Sequence, residues 1–166
     1  MWFRNLQIYR LTGDFQFTPE ELSKALEEDA FTPCGSMTMS SSGWVPPLGR
    51  HGSELTHAAA GRILLCLRRE EKLLPASVIW EQVENRSALI EEEQARNVGR
   101  KERQQIKDDV VFELMPKAFV RSNFTFAYID PQDGWIVVDA ATPKKAEELL
   151  AMLRRGVGKL DAQPPM

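Results

Sequence analysis

Ile79–Met115 reads IWEQVENRSALIEEEQARNVGRKERQQIKDDVVFELM, and Pro116 follows it. Helix formers dominate the stretch, with Ile79, Val83 and Ile90 on one side. The spacing predicts a helix from about Ala76 to Gln94, a break or kink at Asn97-Val98-Gly99, and a second helical part ending at Pro116. Val110, Val111 and Leu114 are the apolar anchors of that second part. Arg96, Arg100, Arg103 and Lys107 follow one another at intervals of 4, 3 and 4. On a continuous helix they fall within an arc of roughly 60°. A narrow stripe of cations with no acid inside it attracts an anion, and a phosphate backbone is the natural one. The competing reading is a solvated face paired with neighbouring acids.

The rest of the composition supports a local charge, not a global one. The chain has 166 residues, 43% hydrophobic and 27% charged, with a net charge of −3. That is an ordinary balance for a globular protein with a real core. Signs are segregated along the sequence. Glu70–Glu93 holds seven acids against two bases, and Arg96–Arg121 holds seven bases against four acids. Cys34 and Cys66 form no CxxC pair, so a reduced, cytoplasmic setting is expected. No apolar run approaches the ~18 residues of a membrane span.

Outward from the central segment, alternating stretches predict strands and capped stretches predict helices. Trp2–Leu11 alternates. Thr18-Pro19-Glu20-Glu21 supplies an N-cap, a first-turn proline and a capping box for a helix running to about Asp29, with Leu22, Ala25 and Leu26 inward. Gly43–Gly49 (GWVPPLG) is expected as a short edge strand or polyproline-like segment. Its Trp44, Pro46 and Pro47 form either a surface knob or a cap on the end of a sheet. Thr56–Gly61 reads as a turn leading into the strand Arg62–Arg69, and Glu70-Glu71-Lys72 as a polar connection. Ala118–Ile129 alternates, Asp130–Gly134 is a hairpin turn, and Trp135–Ala140 returns as the partner strand. Thr142-Pro143 opens a last helix with Ala146, Leu149, Leu150 and Leu153 inward. This order implies an α+β fold, a largely antiparallel sheet with flanking helices and a long, broken or kinked central helical segment. Residues 1–160 are expected as a single domain and 161–166 as a linker.

Several blocks together resemble the N-terminal part of the bacterial recombination-associated RdgC family. They are WFRNLQIYRL, AFTPCGSM, GWVPPLG, LTHAAAGRILLCLRREEKLLP, EEEQARNVGRKERQQIKDDV, LMPKAFVRSNFTFAYID and TPKKAEELLAMLRR. Members of that family are roughly double this length, and their remaining part would follow Leu160. The resemblance implies binding of double-stranded DNA with little sequence preference. It implies a ring-shaped homodimeric clamp with a positively lined hole, nucleoid association, and restraint of RecA-mediated recombination through limited access to DNA.

On that reading phosphate contacts come from Arg96, Arg100, Lys101, Arg103 and Lys107, then Lys117 and Arg121. Lys144, Lys145, Arg154 and Arg155 are weaker candidates, because cations near a helix C-terminus are accounted for by its dipole. Phe119 shares its alternation with polar Arg121, Asn123 and Thr125, which makes it either a subunit-contact residue or a core residue at a strand entry. The alternative to a DNA-binding clamp is a protein–protein interaction module acting on a recombination partner, with DNA contact incidental. No enzyme, metal or cofactor is expected. His51 and His57 lack a metal spacing, nothing local supports Cys34 with His57 as nucleophile and base, and no P-loop or GxGxxG is present.

Overall fold

A computed structural model describes residues 3–165. In chain order the elements are β1 (Leu6–Leu11), α1 (Pro19–Leu26), β2 (Ser40–Val45), β3 (Thr56–Ala59) and β4 (Arg62–Lys72). There follow α2 (Ala76–Gln94), α3 (Arg100–Leu114), β5 (Val120–Asp130), β6 (Trp135–Asp139), α4 (Pro143–Val157) and β7 (Ala162–Gln163). The fold is α+β, as the element order predicts. The chain divides into two compact units: a sheet unit (1–32, 42–69 and 123–166) and a helical unit (33–41 and 70–122). Among the described residues no helix is long and apolar enough to cross a membrane.

In the sheet unit the strand order is β2-β4-β5-β6-β1-β7, with β3 paired to β4. The pairings β1–β6, β1–β7, β3–β4 and β5–β6 are antiparallel. The hairpin between β5 and β6 closes where Asp130-Pro131 predicts it. Gly134 takes a φ of 74° and donates to the Asp130 carbonyl at 2.8 Å, and Asp130 Oδ1 accepts from Asp133 N at 3.0 Å. Thr56–Ala59 departs from the expected turn and is a strand. Ala59 stands opposite Arg62, and Ala60 and Gly61 both have positive φ, the two-residue hairpin geometry that follows the sheet's twist. Glu70–Lys72, expected as a connection, continues β4. The first described strand begins at Leu6, and Trp2 of the expected strand lies outside the described residues. The stretch read as a linker contains β7, which pairs with Arg10 and Leu11.

Both helices of this unit start as their sequences predict. Thr18 Oγ1 accepts from Glu21 N at 3.1 Å, and Thr142 Oγ1 accepts from Lys145 N at 3.3 Å. A 3-10 turn, Glu27–Asp29, continues α1 to its expected end. Leu22 and Leu26 of α1 and Leu149, Leu150 and Leu153 of α4 pack on one face of the sheet, against Leu65, Ile129 and Ile136. Trp44 joins that core at 1% exposure, which overturns the surface-knob reading. Gly43 explains how it gets there. Phe31 N donates to the Trp44 carbonyl at 2.9 Å, and a Cβ on Gly43 would fall on the Phe31 backbone.

The helical unit is built on a two-helix hairpin. Ala95 adopts left-handed φ and ψ of 49° and 43°, ending α2, and Gly99 caps α3 with extended backbone. The chain therefore breaks fully between the helices. Contacts between Trp80 and Lys107 and between Glu84 and Arg103 advance on one helix as they retreat on the other, so the pair is antiparallel. Val83, Ile106 and Val110 form its buried seam, flanked by Ile79, Ile90, Val98 and Leu114. Ile106 takes the inward place that the sequence reading gave to Val111, which lies outside this cluster. Three points pin the loop 33–41 to β4. Glu70 Oε1 accepts from Cys34 N at 3.0 Å, Lys72 N donates to the Met39 carbonyl at 2.8 Å, and Lys72 Nζ donates to the Ser36 carbonyl at 2.6 Å. Both charged side chains are buried, which requires such partners.

Candidate nucleic-acid interface

All seven expected phosphate ligands lie in the helical unit, but not on one stripe. Because the helix breaks, Arg96 sits in the turn before α3. Its guanidinium forks onto Glu102, Nη1 to Oε1 at 2.6 Å and Nη2 to Oε2 at 2.8 Å, and its Nε donates to Gln94 Oε1 at 2.8 Å. The hydrogen bonds to Glu102 raise the Arg96 pKa, and the same bonds lower that of Glu102. Arg103 reaches across the hairpin to Glu84. Lys107 places its ammonium 5.0 Å from the centre of the Trp80 ring. Arg121, on β5, meets Glu71 Oε1 at 2.7 Å. The solvated-pair reading thus describes Arg96, Arg103 and Arg121, and the acids that hold them come from α3's own first turn, from α2 and from β4.

Arg100 and Lys101 are different. They occupy the first two positions of α3, both are exposed, and neither forms an ion pair among the described residues. The first hydrogen bond from this end runs from Arg103 N to the Gly99 carbonyl at 2.9 Å, and Gly99 supplies no side-chain cap. The amides of Arg100, Lys101 and Glu102 therefore have no intrahelical acceptor. Cations at this end also oppose the helix dipole. Helix stability gives no reason for them to be here, whereas an anion would meet free N–H groups, the positive dipole end and two flexible cations together.

Lys117 lies beyond the other end of α3, in the 3-10 turn Met115–Lys117, and is exposed. Its charge helps hold the Glu113 carboxyl below its ordinary value, after the larger effect of Arg86, whose Nη2 lies 2.5 Å from Glu113 Oε2. At 1.5 Å per residue, α3 alone separates Arg100 from Lys117 by roughly 20 Å. The expected cluster is thus drawn out into a row.

Phe119 is 84% exposed. Its carbonyl accepts from Leu73 N at 2.7 Å, and Leu73 and Val120 beside it are also exposed, so the ring stands in a small apolar patch. Within this chain Phe119 is not a core residue. Cys34 Sγ donates to the Glu70 carbonyl at 3.5 Å. Among the described residues no three His, Cys, Asp or Glu side chains come together as potential metal ligands.

A family profile described as "Putative exonuclease, RdgC" matches residues 1–166. The chain is similar to a protein of Aeromonas hydrophila subsp. hydrophila named "Recombination-associated protein RdgC", 51% identical over 164 residues. Proteins of the same name from Salmonella typhimurium and Salmonella typhi are 44% identical over 164 residues. Each match covers 99% of this chain and 54% of the relative, so the chain spans about half the length of the curated relatives it matches. The sequence blocks and the comparisons agree: the chain belongs to the RdgC family.

Proposed function

We propose that the helical unit binds double-stranded DNA through its phosphate backbone with little sequence preference. The observation that carries this is the start of α3, where no side chain caps the helix and Arg100 and Lys101, beside free backbone amides, form no ion pair among the described residues. Lys117 extends the row, and Lys107, which rests on the Trp80 face and forms no ion pair among the described residues, can exchange that face for a phosphate. Arg96, Arg103 and Arg121 join by trading a carboxylate for a phosphate oxygen, an exchange of like chemistry. Nothing in this arrangement reads a base edge, so all duplexes of equal length are bound alike.

The relatives' name places them in recombination, and a protein that coats duplex through phosphates would limit RecA access to it. The exposed Phe119 patch supports the homodimer: an aromatic ring at 84% exposure among Leu73 and Val120 suits burial against a second copy. It equally supports the second reading, a surface for a recombination partner protein.

The test is anisotropy of labelled duplexes of unrelated sequence, with the chain at varied concentration. Equal affinity for all of them, lost at high salt, is expected. Affinity for one sequence, or binding unchanged by salt, would overturn the reading. A parallel incubation with Mg²⁺ addresses the nuclease description of the family. Intact DNA is expected, and progressive shortening from the ends would replace this reading with an enzymatic one.

A further inference from the structure

Strand alternation sorts the sheet onto two faces. One is the core face, where Tyr9, Leu65, Ile129 and Ile136 point and where both helices of the sheet unit pack. The opposite face carries Leu6 and Ile8 of β1, Phe124 and Phe126 of β5, and Val137 of β6. An antiparallel sheet with one wet face carries polar residues on it. Here Leu6 and Ile8 on β1 and Phe124 and Phe126 on β5 make this part of the face apolar. Yet Leu6 and Phe124 are each 53% exposed, and Ile8 is 41% exposed.

Arginines lie over the rings of this face. Arg10 is 5.3 Å from the Trp135 ring centre, and Arg68 is 5.5 Å from that of Phe124. Arg10 forms no ion pair with a carboxylate among the described residues. β7 lies at the sheet edge, with Gln163 opposite Arg10. The match covers 54% of the relatives, so just under half of their length lies outside it.

We propose that the second sheet face is a docking surface for the half of the longer family chain that lies outside the match. The docked segment sets apolar side chains on Leu6, Ile8 and Phe124 and a carboxylate against Arg10. Exposed, aliphatic Leu6 and Ile8 favour this dry contact over a platform that stacks bases on aromatic rings. The inference is independent of the DNA reading, since its residues belong to the sheet unit.

The test is maleimide labelling, resolved by peptide mass, of Ile8→Cys and Phe124→Cys, with exposed Glu28→Cys as control. Each is made in this chain and at the aligned position of the full-length Aeromonas hydrophila relative. In this chain all three positions label at similar rates. In the full-length relative positions 8 and 124 slow on the order of tenfold or more, while position 28 does not. Hydroxyl-radical oxidation of the unsubstituted strands gives the same comparison should a cysteine variant fail to fold. Equal rates in both proteins would overturn the proposal. So would protection of this chain that grows with its own concentration, which identifies a second copy, or protection that needs an added oligonucleotide, which identifies a nucleic-acid platform.

Discussion

Neutralising Arg100 and Lys101 together, as Arg100→Gln with Lys101→Gln, separates the unpaired cations from the paired ones. Each phosphate contact made by a cation contributes about 0.9 to the slope of log affinity against log salt, through release of condensed counterions. Losing two contacts flattens the slope by about 1.8. Over the fourfold range from about 50 to about 200 mM salt, the variant then loses roughly 12-fold less affinity than the parent chain. Arg96→Gln provides the contrast. Its guanidinium is already neutralised by the fork onto Glu102, so it releases fewer counterions and changes the slope by less than 0.9. Glu102→Gln frees Arg96 and is expected to steepen the slope. The assay is anisotropy of a labelled duplex at a series of salt concentrations, with unfolding curves confirming that each variant stays folded. Parallel lines for the parent and the Arg100/Lys101 variant would refute the assignment of phosphates to the start of α3. A larger effect from Arg96→Gln would move the interface to the turn between the helices.

Three further outcomes follow from packing and titration. Gly43→Ala sets a Cβ on the Phe31 backbone and is expected to cost about 2–4 kcal/mol in denaturant unfolding, with the Trp44 fluorescence environment altered before the main transition. Ser87 Oγ is buried with no hydrogen-bond partner among the described residues, so Ser87→Ala is expected to stabilise the chain by about 1 kcal/mol, and an equal loss would mean the hydroxyl is satisfied. Burial pushes the Cys66 thiol up to about 12 from 9.0. The folded state keeps the proton that the unfolded state loses, so this group's contribution is intact below pH 9 and declines from there to about pH 12. A thiol reagent at pH 8 is accordingly expected to modify half-buried Cys34 and spare Cys66 until denaturant is added, and equal rates for the two would refute the burial.

How far the sequence could be read depends on whether the deciding interaction is local. Thr18 and Thr142 start helices because a hydroxyl three residues from an amide is enough, and Asp130 to Gly134 turns because its own side chains and one glycine close the loop. Those features were legible. The strand at Thr56–Ala59 was not, since a short polar-to-alanine run has no periodic signal and gains its strand from pairing with β4. The cationic row shows the same division. Spacing on an unbroken helix places Arg96, Arg100, Arg103 and Lys107 together, and Asn97-Val98-Gly99 reads as a break or kink. What spacing could not show is that the break folds α3 back along α2. That reversal brings Glu84 to Arg103 and Trp80 to Lys107, partners 19 and 27 positions away in the chain. Arg100 and Lys101 lie at the start of α3, beyond the end of α2, and form no ion pair among the described residues. The hairpin that pairs Arg103 with Glu84 leaves Arg100 and Lys101 at the start of α3, where a bound phosphate would meet backbone amides and both side chains.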